Sequence, residues 1–138
     1  MDKEFVTYEV ALALKDLGFD EECMAGYDKE DNTLYIAYII NAGVQFNSHY
    51  YDKAPLKQQV FRWFREKYEF YYHIFPLQIT ASDKKGYRYS WEIYNHTPEW
   101  IAEDSSILGS FTYEEAENAC IDKLISITKQ QKDDTNTK

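Results

Sequence analysis

The stretch YYHIFPLQITASDKKGYRYSWEIY, residues 71–94, carries the strongest structural signal in this chain. In its second half, aromatic and aliphatic residues occupy positions 87, 89, 91 and 93, and mostly polar residues stand between them. A period of two places such sets on opposite faces of a β-strand. Residues 83–86 (DKKG) are typical of a turn. We therefore predict a β-hairpin whose odd-numbered face is covered by helices, which leaves Arg88 and Tyr94 on its back.

A proline interrupts the first strand of this hairpin. Proline has no backbone N–H to donate to a neighbouring strand, so it is confined to sheet edges, bulges and strand starts. Pro76 therefore predicts a strand that lies at the edge of its sheet, or that is bulged or broken.

Three helices and a second hairpin are predicted around the first. Residues 7–17 follow the N-cap Thr7 and end before Gly18, which suits a helix terminus. Residues 55–68 form the most strongly amphipathic helix, with Pro55 in its first turn. Residues 112–127 begin with Thr112 and Glu115, the pattern of a capping box, and Phe111 and Ala116 are spaced to staple that helix. Strands are expected at residues 23–27 and 33–40.

This order, αββαββα, predicts a single α+β domain over residues 1–128. We expect a mainly antiparallel four-stranded sheet with two to three helices packed on it, followed by a disordered tail at residues 129–138. Residues 7–11 (TYEVA) and 112–116 (TYEEA) echo one another. A duplicated helix-hairpin unit and shared helix-start chemistry both account for this echo.

Composition bounds the class of protein. The 138 residues are 17% aromatic, so we expect a core built from large rings. Cys23 and Cys120 are too few and too far apart for a disulfide framework or a zinc site, and we interpret them as small buried hydrophobes. Neither a signal peptide nor a membrane-length apolar run is evident. We therefore expect a cytoplasmic protein that does not bind membranes.

The formal net charge of −9 is unevenly distributed. Residues 1–35 carry −7, residues 36–98 carry +3 and residues 99–138 carry −5. A phosphate lattice repels an acidic surface, so this balance argues against nucleic acid as a partner, although the basic middle third leaves a local contact open.

Four segments resemble a family of short uncharacterised proteins found in bacteria and in their phages or prophages. They are residues 7–27 (TYEVALALKDLGFDEECMAGY), 54–68 (APLKQQVFRWFREKY), 89–94 (YSWEIY) and 112–127 (TYEEAENACIDKLISI). The resemblance spans most of residues 7–128 in the same order. It implies an accessory protein of a phage or mobile element, and it brings no activity, cofactor or catalytic residue with it.

We find no nucleophile–base pair, phosphate-binding glycine loop or metal-ligand spacing, so we predict no catalytic residue, cofactor or metal. The abundance of Tyr and Arg favours a non-enzymatic module that binds another protein. The predicted contact residues lie on the basic helix and the back of the hairpin: Arg62, Arg65, Arg88 and Tyr94. Whether the chain is a monomer or a homodimer stays open.

Two alternatives to this function remain. One is a nucleic-acid accessory protein, either a single-strand binder that stacks bases on aromatic residues or an acidic mimic of DNA. The other is a small enzyme, for which Glu92, His73 and His96 could supply acid–base groups. Sequence alone gives no mutual geometry for these three side chains.

Overall fold

A computed structural model describes residues 2–37, 48–79, 86–105 and 109–136 of this chain. A short 3-10 turn (Asp2–Glu4) precedes three helices and six strands: α1 Tyr8–Asp16, β1 Ala25–Asp28, β2 Leu34–Ile36, β3 Tyr51–Lys53, α2 Lys57–Tyr68, β4 Tyr71–Ile79, β5 Gly86–Tyr94, β6 Trp100–Glu103 and α3 Tyr113–Asn136. The α+β class is confirmed. Backbone contacts divide the chain into two compact units, Met1–Val60 (the first unit) and Phe61–Lys138 (the second unit).

The first unit is built on an antiparallel sheet with β1 at its centre. The strand order is β2-β1-β3, so β1 pairs with both of its neighbours. A buried cluster of Phe5, Ala25 and Ala54 forms part of its core, and Tyr27 and Leu34 pack against this cluster. Burial of this apolar surface stabilises the short strands, which make few ladder hydrogen bonds of their own.

Helix α1 begins and ends where the sequence predicts. The Thr7 hydroxyl accepts a hydrogen bond from the Val10 N–H at 3.3 Å, which satisfies one of the free donors of the first turn. At the other end Gly18 has a φ of +93°. The Phe19 N–H donates to the Leu14 carbonyl at 2.9 Å, and both side chains are buried. This is the Schellman pattern, with its usual hydrophobic contact.

The second unit contains the hairpin of residues 71–94. Strands β4 and β5 pair antiparallel over nine positions, from Tyr71 opposite Tyr94 to Ile79 opposite Gly86, and β6 pairs with the other side of β5. The strand order β4-β5-β6 puts Pro76 in an edge strand, as predicted, and the pairing continues through it. Residues 83–85 of the predicted turn lie outside the described residues.

Helix α3 covers one face of this sheet and makes its contacts chiefly with β5. On that face Trp91 is 6% exposed and Ile93 is fully buried, and Tyr72 of β4 stacks on Phe61 of α2 with ring centroids 3.8 Å apart. The buried stripe of α3 includes Ala116, Cys120, Ile121 and Leu124. The predicted covered face is therefore present, except at Tyr87, which is 65% exposed because it lies near the end of the hairpin, close to Gly86.

The predicted four-stranded sheet is wrong. The described residues form two three-stranded antiparallel sheets, and their elements follow the order αβββαβββα. Strands β3 and β6 are three and four residues long and fall in segments where we predicted no strand. A short edge strand takes its backbone partners from its neighbour and needs no alternating pattern of its own, so the sequence carries no signal for it. The two sheets also differ in strand order, which a simple duplication would not produce.

Several element boundaries differ from prediction. Pro55 precedes α2, which begins at Lys57. The predicted strand at residues 33–40 is confirmed as Leu34–Ile36, and its residues 38–40 lie outside the described residues. Helix α3 continues to Asn136, so residues 129–136 are helical where we predicted disorder. Extending a helix that packing has already nucleated costs little, and Lys and Gln are good helix formers. A single domain at residues 1–128 stays a prediction.

The start of α3 confirms the predicted capping box with one change. The Thr112 hydroxyl accepts from the Glu115 N–H at 3.1 Å, and the Glu115 carboxylate accepts from the Phe111 N–H at 3.0 Å. The return bond thus reaches one residue further back than in the usual motif. Phe111 is 70% exposed and does not staple the helix. Within the described ranges, no helix is both long and apolar enough to cross a membrane.

The approach of Gly109 to β5 gives a test of this fold. Gly109 has a φ of +63°, and a Cβ placed there would lie 2.4 Å from the Tyr89 carbonyl oxygen. We expect Gly109→Ala to lower the free energy of unfolding by about 2 kcal/mol or more, because backbone strain and a steric clash add. Urea denaturation measures this change. Ser110→Ala is the control, since it keeps the backbone bonds between Ser110 and Tyr89, and we expect an effect below about 0.5 kcal/mol. Equal effects of the two substitutions would contradict the structure.

Candidate functional site

The face of the second sheet that points away from α3 is the candidate site. Along β4 and β5 its residues alternate with the half-buried Tyr72 and the buried Trp91 and Ile93, so their side chains project from the opposite side. We call this surface the outer face and define it by seven residues: Tyr71, His73, Arg88, Glu92, Tyr94, Trp100 and Phe111.

One end of the outer face carries a paired arginine and phenylalanine. Ser110 bridges to Tyr89 in an antiparallel ladder, which places the next residue, Phe111, beside Arg88 on the outer side. The Arg88 guanidinium carbon lies 3.3 Å from the Phe111 ring centroid. A guanidinium stacked on an aromatic ring gains a cation–π contact and loses conformational freedom before any partner arrives. Phe111 stays 70% exposed, so the pair is available for contact.

The other end carries three aromatic side chains. Tyr71 and Tyr94 are opposite one another in the β4–β5 pairing, and Trp100 of β6 is opposite Tyr94. The Tyr94 and Trp100 rings are tilted, with centroids 6.3 Å apart. A register shift between Ile93 and Tyr94 produces this alignment. Trp100 is 61% exposed and Tyr71 is 43% exposed, so two large rings meet solvent here.

A glutamate connects polar groups across the middle of the face. The Glu92 carboxylate accepts a hydrogen bond from the Tyr94 hydroxyl, and the same oxygen lies 3.9 Å from His73 Nδ1. The hydrogen bond to Glu92 is the largest influence that raises the pKa of Tyr94 above its usual value, because ionising the phenol would place two anions side by side. This contact fixes the orientation of the Tyr94 ring.

The structure assigns the four predicted contact residues to two surfaces. Arg88 and Tyr94 lie on the outer face, as the alternation of β5 predicts. Arg62 and Arg65 are exposed on α2, and this helix contacts the opposite side of the sheet through Phe61. Their role in binding stays a prediction, and the outer face does not include them.

The residues weighed for an enzyme are only partly brought together. His73 and Glu92 face one another across β4 and β5, but His96 Nδ1 lies 3.4 Å from a carboxylate oxygen of Glu69 instead. His73 is 62% exposed. Water competes for both members of such a surface pair, whereas acid–base catalysis depends on groups that are held and desolvated.

The prediction of a small buried hydrophobe is confirmed for Cys120, which is fully buried on the inner side of α3, whereas Cys23 is only half-buried. Burial raises the pKa of each thiol to about 12, which suppresses the nucleophilic thiolate at neutral pH. Among the described residues, no group of three or more His, Cys, Asp or Glu side chains is placed to hold a metal ion.

Trp100 and Phe111 are the outer-face residues that sequence reasoning missed. Trp100 lies in a segment for which we predicted no element, and Phe111 directly precedes the predicted helix at residues 112–127. Their position depends on β6 and on the bridge at Ser110, which are long-range pairings. The sequence does show Trp100 and Phe111 as large apolar residues within otherwise polar segments. Large apolar residues that turn out to be exposed often mark an interaction site.

Comparison with protein-family models, with curated proteins and with solved structures finds no match to this chain.

The hydrogen bond between Tyr94 and Glu92 makes a testable prediction about titration. Glu92→Gln removes the carboxylate that opposes ionisation, so we expect the pKa of Tyr94 to fall toward the ordinary tyrosine value of about 10. Carbon-13 NMR of the tyrosine rings against pH resolves this residue. The control is Glu103→Gln, since Glu103 is the smallest of the influences on Tyr94 and its removal should shift the pKa less. A larger shift with the control would rule out the proposed contact.

Proposed function

We propose that this chain is a non-enzymatic protein-interaction module and that the outer face of its second sheet is the contact surface. The observation that carries the proposal is that one face of the sheet exposes two aromatic rings, Trp100 and Phe111, together with the Arg88 guanidinium, whose position is fixed by stacking. Trp100 is 61% exposed, Phe111 is 70% exposed, and Arg88 is stacked on the latter.

The chemistry of this face suits a protein partner. Trp, Tyr and Arg are enriched among the residues that contribute most to binding energy in protein interfaces. Rings bury a large area while losing few rotatable bonds, so they cost little conformational entropy on binding. The Tyr94 ring is held by Glu92 and Arg88 is held by Phe111, so part of this cost is met before association.

Charge on the outer face favours protein over nucleic acid. Arg88 is the cationic residue of the defined face, and Glu92 lies on the same side, with Glu103 of β6 directly opposite it in the pairing. A face with two carboxylates and one guanidinium has a net negative charge, which repels a phosphate backbone. The exposed rings could still stack bases, so a single-strand binder is the second candidate. For an acidic DNA mimic or a small enzyme, the arrangement of these side chains offers less support.

A role as an accessory protein of a phage or mobile element is part of the same proposal. It derives from the resemblance of the four segments of residues 7–127 to short bacterial and phage proteins. An interaction module is consistent with such a role, since an accessory protein can act by contact alone.

The test uses a photo-crosslinking amino acid in the full-length chain. We place p-benzoylphenylalanine at position 111 on the outer face, and at position 87 as the matched control. Tyr87 is also an exposed aromatic residue, at 65%, and it projects from the other side of β5. We expect irradiation in the native host to give a discrete protein adduct from position 111 and none from position 87.

The adduct should depend on the rest of the face. Adding Trp100→Ala should reduce its yield about tenfold or more, as loss of an aromatic anchor from an interface does. Adding Glu66→Ala, at an exposed position of α2 with no predicted contact role, should leave it unchanged. An adduct with nucleic acid would support the second candidate, and equal adducts from both positions, or none from position 111, would overturn the proposal.

A further inference from the structure

The first unit contains a pocket that is separate from the outer face. Its volume is about 240 Å³, and it opens between α1 and β3. This is smaller than the roughly 300 to 1,000 Å³ of pockets that take drug-sized molecules. The side chains that matter for its chemistry are Ala11, Lys15, Phe19, Tyr51, Asp52 and Lys53.

The inner wall of the pocket is apolar. Ala11 of α1 is 2% exposed, and Phe19, which follows the end of that helix, is 6% exposed. Tyr51, the first residue of β3, also lines the pocket, and its ring packs edge-on against Tyr35. A flat apolar group placed here would lose contact with water against surfaces that are already ordered, which favours its binding.

A buried carboxylate organises the polar side. Asp52 is 5% exposed, and its Oδ1 accepts a hydrogen bond from Lys15 Nζ at 3.1 Å. Lys29 Nζ lies 4.0 Å from the same oxygen. A buried carboxylate without cationic partners would be costly, so these lysines are held in place by Asp52. Lys15 stays 60% exposed at the pocket.

A further ammonium group lies at the rim. Lys53 Nζ donates to the Asp20 carbonyl oxygen at 2.6 Å, which fixes its position. An ammonium has three N–H donors, so Lys15 and Lys53 each keep capacity for another acceptor. Lys15 and Lys53 are thus the two ammonium groups that line the pocket, and Asp52 is the buried carboxylate beside them.

We propose that this pocket binds a small monocarboxylate with an aromatic or apolar body. The body lies on Ala11, Phe19 and Tyr51, and the carboxylate accepts hydrogen bonds from Lys15 and Lys53. The size of the pocket limits the ligand to about one ring with its acid group. This proposal is independent of the interaction surface in the second unit.

Three probes of equal size and different charge test the proposal: benzoate, benzamide and benzylamine. Each is titrated into the nitrogen-15-labelled full-length protein and followed by two-dimensional NMR. For a ligand this small we expect benzoate to bind with a Kd of about 0.1 to 10 mM, with shifts at Lys15, Tyr51 and Lys53. Benzamide should bind about tenfold more weakly or worse, and benzylamine should give no saturable shift.

Variants locate the site. Lys53→Gln should weaken benzoate binding about tenfold, since it removes a charge-assisted hydrogen bond. Lys123→Gln, an exposed position on α3, is the matched control and should leave the Kd unchanged. Lys15→Gln should also weaken benzoate binding. If loss of the Asp52 contact unfolds this variant, the Kd of Lys53→Gln for benzoate alone tests the site. Equal binding of benzamide or benzylamine, shifts at other residues, or no saturable shift with benzoate would overturn the proposal.

Discussion

Burial of Trp91 and Ile93 beneath α3 is the constraint on which the second unit depends. These two side chains are 6% and 0% exposed. Because side chains alternate along a strand, a shift of one residue would expose both of them and bury Arg88, Glu92 and Tyr94 in their place. Burying these polar side chains without hydrogen-bond partners would cost far more free energy than a shifted strand pairing could gain. Packing on one face of the sheet therefore fixes which side chains the other face exposes. The candidate interaction surface is in this sense a consequence of the core.

Electrostatics has a comparable role in the first unit. Asp52 is buried in β3, and its contact with Lys15 ties the sheet to α1. Buried ion pairs contribute modestly to net stability, because desolvation offsets most of the attraction, but removing one partner is costly. The ion pair between Lys15 and Asp52 therefore fixes the position of α1 against β3 more than it raises the free energy of unfolding. It holds a lysine at the mouth of a pocket whose inner wall is apolar, a combination that a surface lysine alone would not provide.

Local chemistry made part of the fold predictable. The caps at Thr7 and Thr112, the glycine end of α1 and the alternation of β5 are encoded within a few residues of where they act. Strands β3 and β6 were missed because their pairing partners supply the signal. Helical periodicity places Arg62 and Arg65 on the polar side of α2, but it does not state which face of a distant sheet that helix covers. The same limit hid Trp100 and Phe111, whose position depends on long-range pairing.

The solvent exposure of the three tryptophans tests most directly whether one face of the hairpin is buried and the other is exposed. Trp91 and Trp63 are each 6% exposed, and Trp91 Nε1 has no hydrogen-bond partner among the described residues, whereas Trp100 is 61% exposed. A soluble paramagnetic agent added to the nitrogen-15-labelled protein broadens indole N–H signals according to their access to solvent. We expect strong broadening of the Trp100 signal while those of Trp63 and Trp91 stay sharp. Broadening of the Trp91 signal, or protection of Trp100 in the dilute monomer, would contradict it.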